Sequence, residues 1–146
     1  MTDDPDDLQR FLRAQDADAT YVRALAELRS GRKRSHWMWF VLPQLAGLGR
    51  SPTAVAYGIG SLSQARAYAD HPVLGNRLRE CATALLDLDT DDAEAVLGPV
   101  DALKLRSSMT LFARAVPTDH TFDSVLRKYF GGVPDPATDR LLAAGR

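Results

Sequence analysis

The chain has 146 residues, of which 45% are hydrophobic and 25% are charged, and its formal net charge is −1. This composition predicts one globular domain over residues 1–146 with a core of its own, and it excludes a disordered chain. The near-neutral charge disfavours nucleic acid as a partner, because proteins that bind it usually carry a strong basic excess.

Cysteine content and hydropathy limit the compartment and the cofactors. The single cysteine, Cys81, excludes an internal disulfide, and no Cys/His spacing resembles a zinc site. The acidic N-terminus MTDDPDD differs from a signal peptide, and no apolar run approaches the roughly 18 residues of a membrane span. We therefore expect a cytoplasmic protein without membrane contact, metal or cofactor, present as a monomer or weak homodimer.

Helix signals follow one another along the chain. Asp4-Pro5 is typical of an N-cap and first helical residue, and apolar side chains recur with helical spacing from Leu8 to Gln15. A second helix is predicted over about residues 18–29, with Gly31 as its stop. Further helix starts, each marked by a capping residue or a proline, are predicted at Ser51, Ser61, Pro72, the capping box 91–94, Asp101 and Asp135.

Strand patterns are nearly absent. The best candidate is the short apolar run 37–42, which Pro43 ends. At helical spacing, however, Trp37, Phe40 and Val41 fall on one face, so the run fits a helical turn as well. The sequence predicts an all-α domain: a compact single-domain bundle of about seven or eight short helices with irregular orthogonal packing.

The stretch GRKRSHWMWFVLPQ, residues 31–44, combines charge and aromatic area more closely than any other part of the chain. Cationic side chains here would hold a phosphate or carboxylate, an indole would stack on a ring, and His36 would act as acid or base. The alternative is a solvated basic loop followed by core tryptophans. The candidate ligand-binding residues of this stretch are Arg32, Lys33, Ser35, Trp37, Trp39 and Gln44.

A second candidate lies in the helix that begins near Asp101. Lys104 and Ser108 are four residues apart, so a regular helix places them on one flank of its apolar stripe, where a cleft wall would stand. The alternative for Lys104 is an aliphatic stem along the core with its ammonium group in water. Tyr129, before Gly131, is a weaker candidate whose hydroxyl would close a pocket.

Four blocks resemble one known family across nearly the whole chain. They are RKRSHWMWFVLPQLAGLGRS, ARAYADHPVLGNRLREC, KLRSSMTLF and YFGGVPDPAT, which start at residues 32, 65, 104 and 129. The resemblance is to a bacterial, notably actinobacterial, family of unknown function whose members are often mislabelled "calpastatin". It implies a small, mainly helical fold, and it brings no reaction and no catalytic residues.

Residue chemistry leaves several functions open. The leading hypothesis is a small anionic or nucleotide-like ligand in a cleft between the segment from Arg32 to Gln44 and the helix segment from Lys104 to Ser108. A hydrolase or transferase would fit this inventory of side chains, and so would a protein that only binds. The runner-up is a non-catalytic module whose basic-aromatic surface binds a protein or single-stranded nucleic acid. A third possibility is a purely structural motif.

Overall fold

The structure, a computed structural model, describes residues 5–145, so the predicted cap Asp4 lies outside it. Within this range helices account for nearly all regular structure, and a single parallel bridge joins Leu45 to Ile59. The predicted all-α class is therefore confirmed. The helices are α1 Pro5–Asp16, α2 Thr20–Ser30, α3 Met38–Val41, α4 Pro52–Ala56, α5 Leu62–Asp70, α6 Leu74–Asp87, α7 Ala93–Leu97, α8 Pro99–Ala115, α9 Thr121–Phe130 and α10 Pro136–Ala143, with a 3-10 turn, Ala17–Ala19, between α1 and α2.

Four helices begin where capping chemistry predicts. The side chains of Ser51, Ser61, Asp92 and Asp135 accept hydrogen bonds from backbone amides in the first turns of α4, α5, α7 and α10. Such bonds satisfy amides that have no partner inside the helix. α2 ends at Gly31, whose φ of 80° is a left-handed conformation that glycine adopts without strain.

The strand candidate 37–42 is helical in the structure. Residues Met38–Val41 form the single turn of α3, with Trp37 and Val41 buried on one side. The amide Nε2 of Gln15 fixes this turn by donating to the carbonyl oxygen of Phe40 at 2.8 Å. Apart from the short turns α3 and α4, the described residues form eight α-helices, in agreement with the predicted seven or eight.

α8 is the central element of the fold, because it packs against α5, α7, α9 and α10. A chain of buried aromatic rings crosses the core beside it, with centroids 5.1 Å apart for Phe11 and Tyr68, 5.5 Å for Tyr68 and Phe112, and 5.7 Å for Phe112 and Phe122. Ring pairs at these separations add to the energy of apolar burial. α8 is therefore held on several sides by the core, and residues on its exposed face have a fixed backbone.

None of the helices in residues 5–145 has the length and apolar character needed to cross a membrane. Cys81 lies on the buried face of α6, as its position in the apolar stripe predicts. Burial raises the pKa of its thiol to about 12, so the nucleophilic thiolate is not populated at neutral pH.

Candidate functional site

One carboxylate holds the segment between α2 and α3, residues 31–37, which we call the basic loop. Glu27, in the last turn of α2, accepts hydrogen bonds from the backbone amides of Arg34 at 2.8 Å and Ser35 at 3.1 Å. It also accepts from the hydroxyl of Ser35 at 2.6 Å and from the indole Nε1 of Trp37 at 2.9 Å. The conformation of the basic loop is therefore fixed by α2.

The protonation of Glu27 reflects these bonds. Partial burial raises the pKa of its carboxyl group, but the hydrogen bonds from Ser35, Arg34 and Trp37 outweigh burial and lower the pKa to about 2. Hydrogen-bond donors stabilise the charged form of a carboxylate, and Glu27 accepts four hydrogen bonds. Glu27 is thus ionised at any physiological pH.

The basic loop is attached to α8 by an ion pair. Lys33 Nζ lies 2.9 Å from Asp101 Oδ2, and the lysine side chain is only 9% exposed. Its backbone amide donates to the carbonyl oxygen of Val96 at 2.8 Å, and its ammonium group lies 5.2 Å from the centroid of the Trp37 ring. The position of Lys33 is therefore set from three directions.

The same carboxylate orients Lys104. Lys104 Nζ lies 3.3 Å from Asp101 Oδ1 and 4.3 Å from the centroid of the Trp39 ring. Trp39 is half-buried, and its indole N–H donates to no described residue. The 32–44 segment and the helix that carries Lys104 are therefore in contact: Lys33 pairs with Asp101, and Lys104 lies over the Trp39 ring.

A groove of about 270 Å³, which we call the α8 groove, opens beside this cluster. It lies between α8, the loop that follows α3, and the start of α10. Its apolar lining residues are Leu48, Gly49, Val100, Leu103 and Ala137, and its polar lining residues are Gln44, Lys104, Ser107 and Asp135.

Asp135 lies at one end of this polar set and is held in one orientation. Its Oδ2 accepts from the hydroxyl of Ser107 at 3.1 Å, from the backbone amide of Thr138 at 3.1 Å and from the Thr138 hydroxyl at 2.6 Å. Its backbone amide donates to Thr110 Oγ1 at 2.9 Å. The other carboxylate oxygen, Oδ1, accepts from no described donor.

The loop that follows α3 offers donors to the groove. The side-chain amide of Gln44 makes no hydrogen bond with a described residue, and the backbone amides of Leu48 and Gly49 likewise have no acceptor in this part of the chain. Gly49 is required here by close packing, since a Cβ at this position would lie 2.6 Å from the Cβ of Ala54. Three residues of this loop that line the groove therefore carry N–H groups without a described acceptor.

The structure brings four predicted residues together: Lys33 and Trp39 beside the groove, and Gln44 and Lys104 in its lining. Two others, Ser35 and Trp37, donate hydrogen bonds to Glu27 instead, and Trp37 is completely buried.

The remaining predicted residues lie apart from the groove. Arg32 and His36 are exposed on the basic loop, and their side chains bond to no described residue. Ser108 is completely buried without a hydrogen-bond partner, and Ser107 lines the groove where Ser108 was expected. Tyr129 lies on α9 and donates its hydroxyl to the carbonyl oxygen of Leu85.

Sequence analysis missed Glu27, Asp101, Ser107 and Asp135 as site residues. A signal existed for Glu27, because a carboxylate in the last turn of a helix is unfavourable next to the negative end of the helix dipole. Asp101 and Asp135 are typical helix-start residues, so nothing in the sequence indicated further contacts. Asp101 also pairs with Lys33 and Lys104, and Asp135 also accepts from Ser107. No group of three or more potential metal ligands occurs in the described part of the chain.

These features define a small helical protein with a pre-oriented lysine at a surface groove. The chain belongs to a family described as "Protein of unknown function (DUF1810)", whose model matches residues 5–142. It is also similar to the conserved hypothetical protein Rv1873 from Mycobacterium tuberculosis, with 53% identity and a TM-score of 0.91 over 96% of this chain and 99% of that chain. None of the curated proteins matches. The resemblance to a bacterial family of unknown function is thus confirmed.

Proposed function

We propose that this protein binds a small anionic or nucleotide-like ligand in the α8 groove. The observation that carries the proposal is the placement of Lys104, whose ammonium group is held at the groove by Asp101 at 3.3 Å and by the face of Trp39 at 4.3 Å. A cation fixed before binding loses little conformational entropy when a ligand arrives.

The charge balance of the cluster favours an anion. Lys33 and Lys104 share the single carboxylate of Asp101, so these three groups carry an excess of one positive charge beside Lys104, while the carboxylate of Asp135 lies elsewhere in the lining. Lysine has three N–H donors, and Lys104 uses one of them on Asp101. The remaining donors are available to a phosphate or carboxylate of the ligand.

Neutral groups complete the site. Gln44, Leu48 and Gly49 line the groove and carry N–H groups without a described acceptor, while Leu103 is 65% exposed and offers apolar area. Apolar walls with a few convergent polar groups are typical of small-molecule sites.

The proposal is limited to binding. His36, the side chain expected to act as acid or base, is exposed on the basic loop and is not part of the groove lining. A basic-aromatic surface for single-stranded nucleic acid has less support, because stacking needs accessible ring faces and Trp37 is completely buried.

Replacing Lys104 with methionine tests the site. We expect the dissociation constant of a phosphate-bearing ligand to rise roughly 10–100-fold, because charge-assisted hydrogen bonds are lost while the aliphatic stem is kept. The measurement is isothermal titration calorimetry on any ligand that first stabilises the wild type in a thermal-shift panel of nucleotides, sugar phosphates and dicarboxylates. Arg127→Gln, an equal change of charge at a side chain that is 71% exposed on α9, should leave affinity unchanged. Equal losses in both variants, or a loss in neither, would contradict the proposal.

A further inference from the structure

We infer that the ligand of the α8 groove is a small phosphate-type anion that also carries hydroxyl groups, with the size and chemistry of a pentose phosphate. The inference rests on the proposed function and specifies its ligand class. Three features of the groove support it: the fixed acceptor of Asp135, the distance between the two polar ends, and the volume.

Asp135, a half-buried residue of the groove lining, offers an acceptor to a ligand. Its Oδ2 is occupied by Ser107 and Thr138, which hold the carboxylate in place, while Oδ1 accepts from no described residue. An ionised carboxylate only accepts hydrogen bonds. A ligand group next to Oδ1 must therefore donate, as a hydroxyl does, and a second anionic group at this position would be repelled.

The two polar ends of the groove are about one helical turn apart. Lys104 and Ser107 lie three residues apart on α8, which corresponds to a rise of about 4.5 Å along the helix axis. Because Ser107 contacts Asp135, the cationic end and the acceptor end of the groove are attached to α8 at positions about one turn apart. A phosphate at Lys104 then places ring hydroxyls toward Asp135.

The volume excludes large nucleotides as fully enclosed ligands. The groove measures about 270 Å³, below the roughly 300–1,000 Å³ that encloses drug-sized ligands. A pentose phosphate is small enough for this space, whereas a dinucleotide such as NAD would leave much of its surface outside. Leu48 and Leu103 provide apolar surface for the C–H face of the sugar ring.

Calorimetric titration of the full chain with ribose 5-phosphate, inorganic phosphate, succinate and NAD tests the inference. We expect ribose 5-phosphate to bind at least about tenfold more tightly than inorganic phosphate, because hydrogen bonds to the charged Asp135 are added. Succinate and NAD should bind more weakly than ribose 5-phosphate. If ribose 5-phosphate and inorganic phosphate bind equally well, the proposed function stands and this inference is overturned. If succinate alone binds, this inference is overturned and the proposed function stands; if none of the four compounds binds, the proposed function itself fails.

Asp135→Asn gives an independent check. Asparagine caps helices as well as aspartate does, so α10 keeps its cap, but the oxygen that faces no described donor becomes an N–H₂ group. We expect the preference for ribose 5-phosphate over inorganic phosphate to fall about tenfold while the affinity for phosphate is retained. An unchanged preference in a variant that melts close to the wild type overturns the inference. If the variant does not fold, the inference is tested by the wild-type protein alone, through the ratio of its affinities for ribose 5-phosphate and inorganic phosphate.

Discussion

Replacing Glu27 with alanine is expected to destabilise the protein by about 3 kcal/mol, because four hydrogen bonds to a carboxylate are lost and the buried Trp37 Nε1 is left without an acceptor. For a domain of this size, the melting temperature should fall by roughly 6–12 °C. Differential scanning calorimetry at pH 7 measures both. The matched control is Glu94→Ala at an exposed carboxylate in the first turn of α7, where less than about 1 kcal/mol is expected.

The pH dependence of that difference tests its cause. The pKa of Glu27 is lowered from 4.5 to about 2 in the folded protein, so its stabilisation is complete above about pH 4.5 and is lost as the pH falls toward 2. The gap between wild type and Glu27→Ala should therefore narrow steadily over this range. A gap that stays constant down to pH 2 would show that the carboxylate charge is not what stabilises the basic loop.

Removing the Asp101 carboxylate should have an effect of similar size. Asp101→Ala leaves Lys33, which is 9% exposed, without its counter-ion and places two lysines near each other. Breaking a buried ion pair in this way costs about 3–5 kcal/mol, and we expect a value near 3 because Asp101 is itself 18% exposed. Chemical denaturation in urea gives the free energy of unfolding directly.

Two further variants separate charge burial from simple loss of contact. Asp123→Ala breaks the pair with Arg127 on the surface of α9, where less than about 1 kcal/mol is expected. Adding Lys33→Met to Asp101→Ala should recover part of the loss, because it removes the unpaired buried charge. A double variant as unstable as Asp101→Ala alone would mean that the buried charge of Lys33 is not the cause.

Local chemistry made much of the fold predictable. Ser51, Ser61 and Asp92 cap their helices through bonds that span two or three residues, so the sequence alone identifies them. Gly31 ends α2 for an equally local reason. The run 37–42 was ambiguous because one helical turn is too short for periodicity to separate it from a strand.

The site was harder to predict than the helices. Adjacent residues on a helix point about 100° apart, so an error of one position in the assumed groove-facing residue exchanges the buried Ser108 for Ser107. Residue type does not identify the exposed face either, since Leu103 of α8 is 65% exposed and Leu111 of the same helix is completely buried. Contacts between distant segments, such as Ser107 with Asp135, leave no local pattern in the sequence.

The carboxylates that were missed explain how the predicted cations are positioned. Glu27 folds the basic loop onto α2, and Asp101 connects Lys33 of that loop to Lys104 of α8. Part of the basic stretch is therefore structural, and Lys104 of α8 is the cation that lies in the groove lining. The basic loop thus contributes Trp37 to the core and Lys33 to the ion pair with Asp101 beside the groove.

The central claim, that a ligand occupies the α8 groove, is tested most directly by recording ¹H–¹⁵N NMR spectra during titration with ribose 5-phosphate. The largest shift changes are expected at the backbone amides of Gly49, Lys104 and Ser107 and at the indole N–H of Trp39, all at or beside the groove. Saturable changes confined to these signals are the predicted result. Changes centred on Tyr129 and the far side of α9, or none at concentrations that saturate typical small-molecule sites, would contradict it.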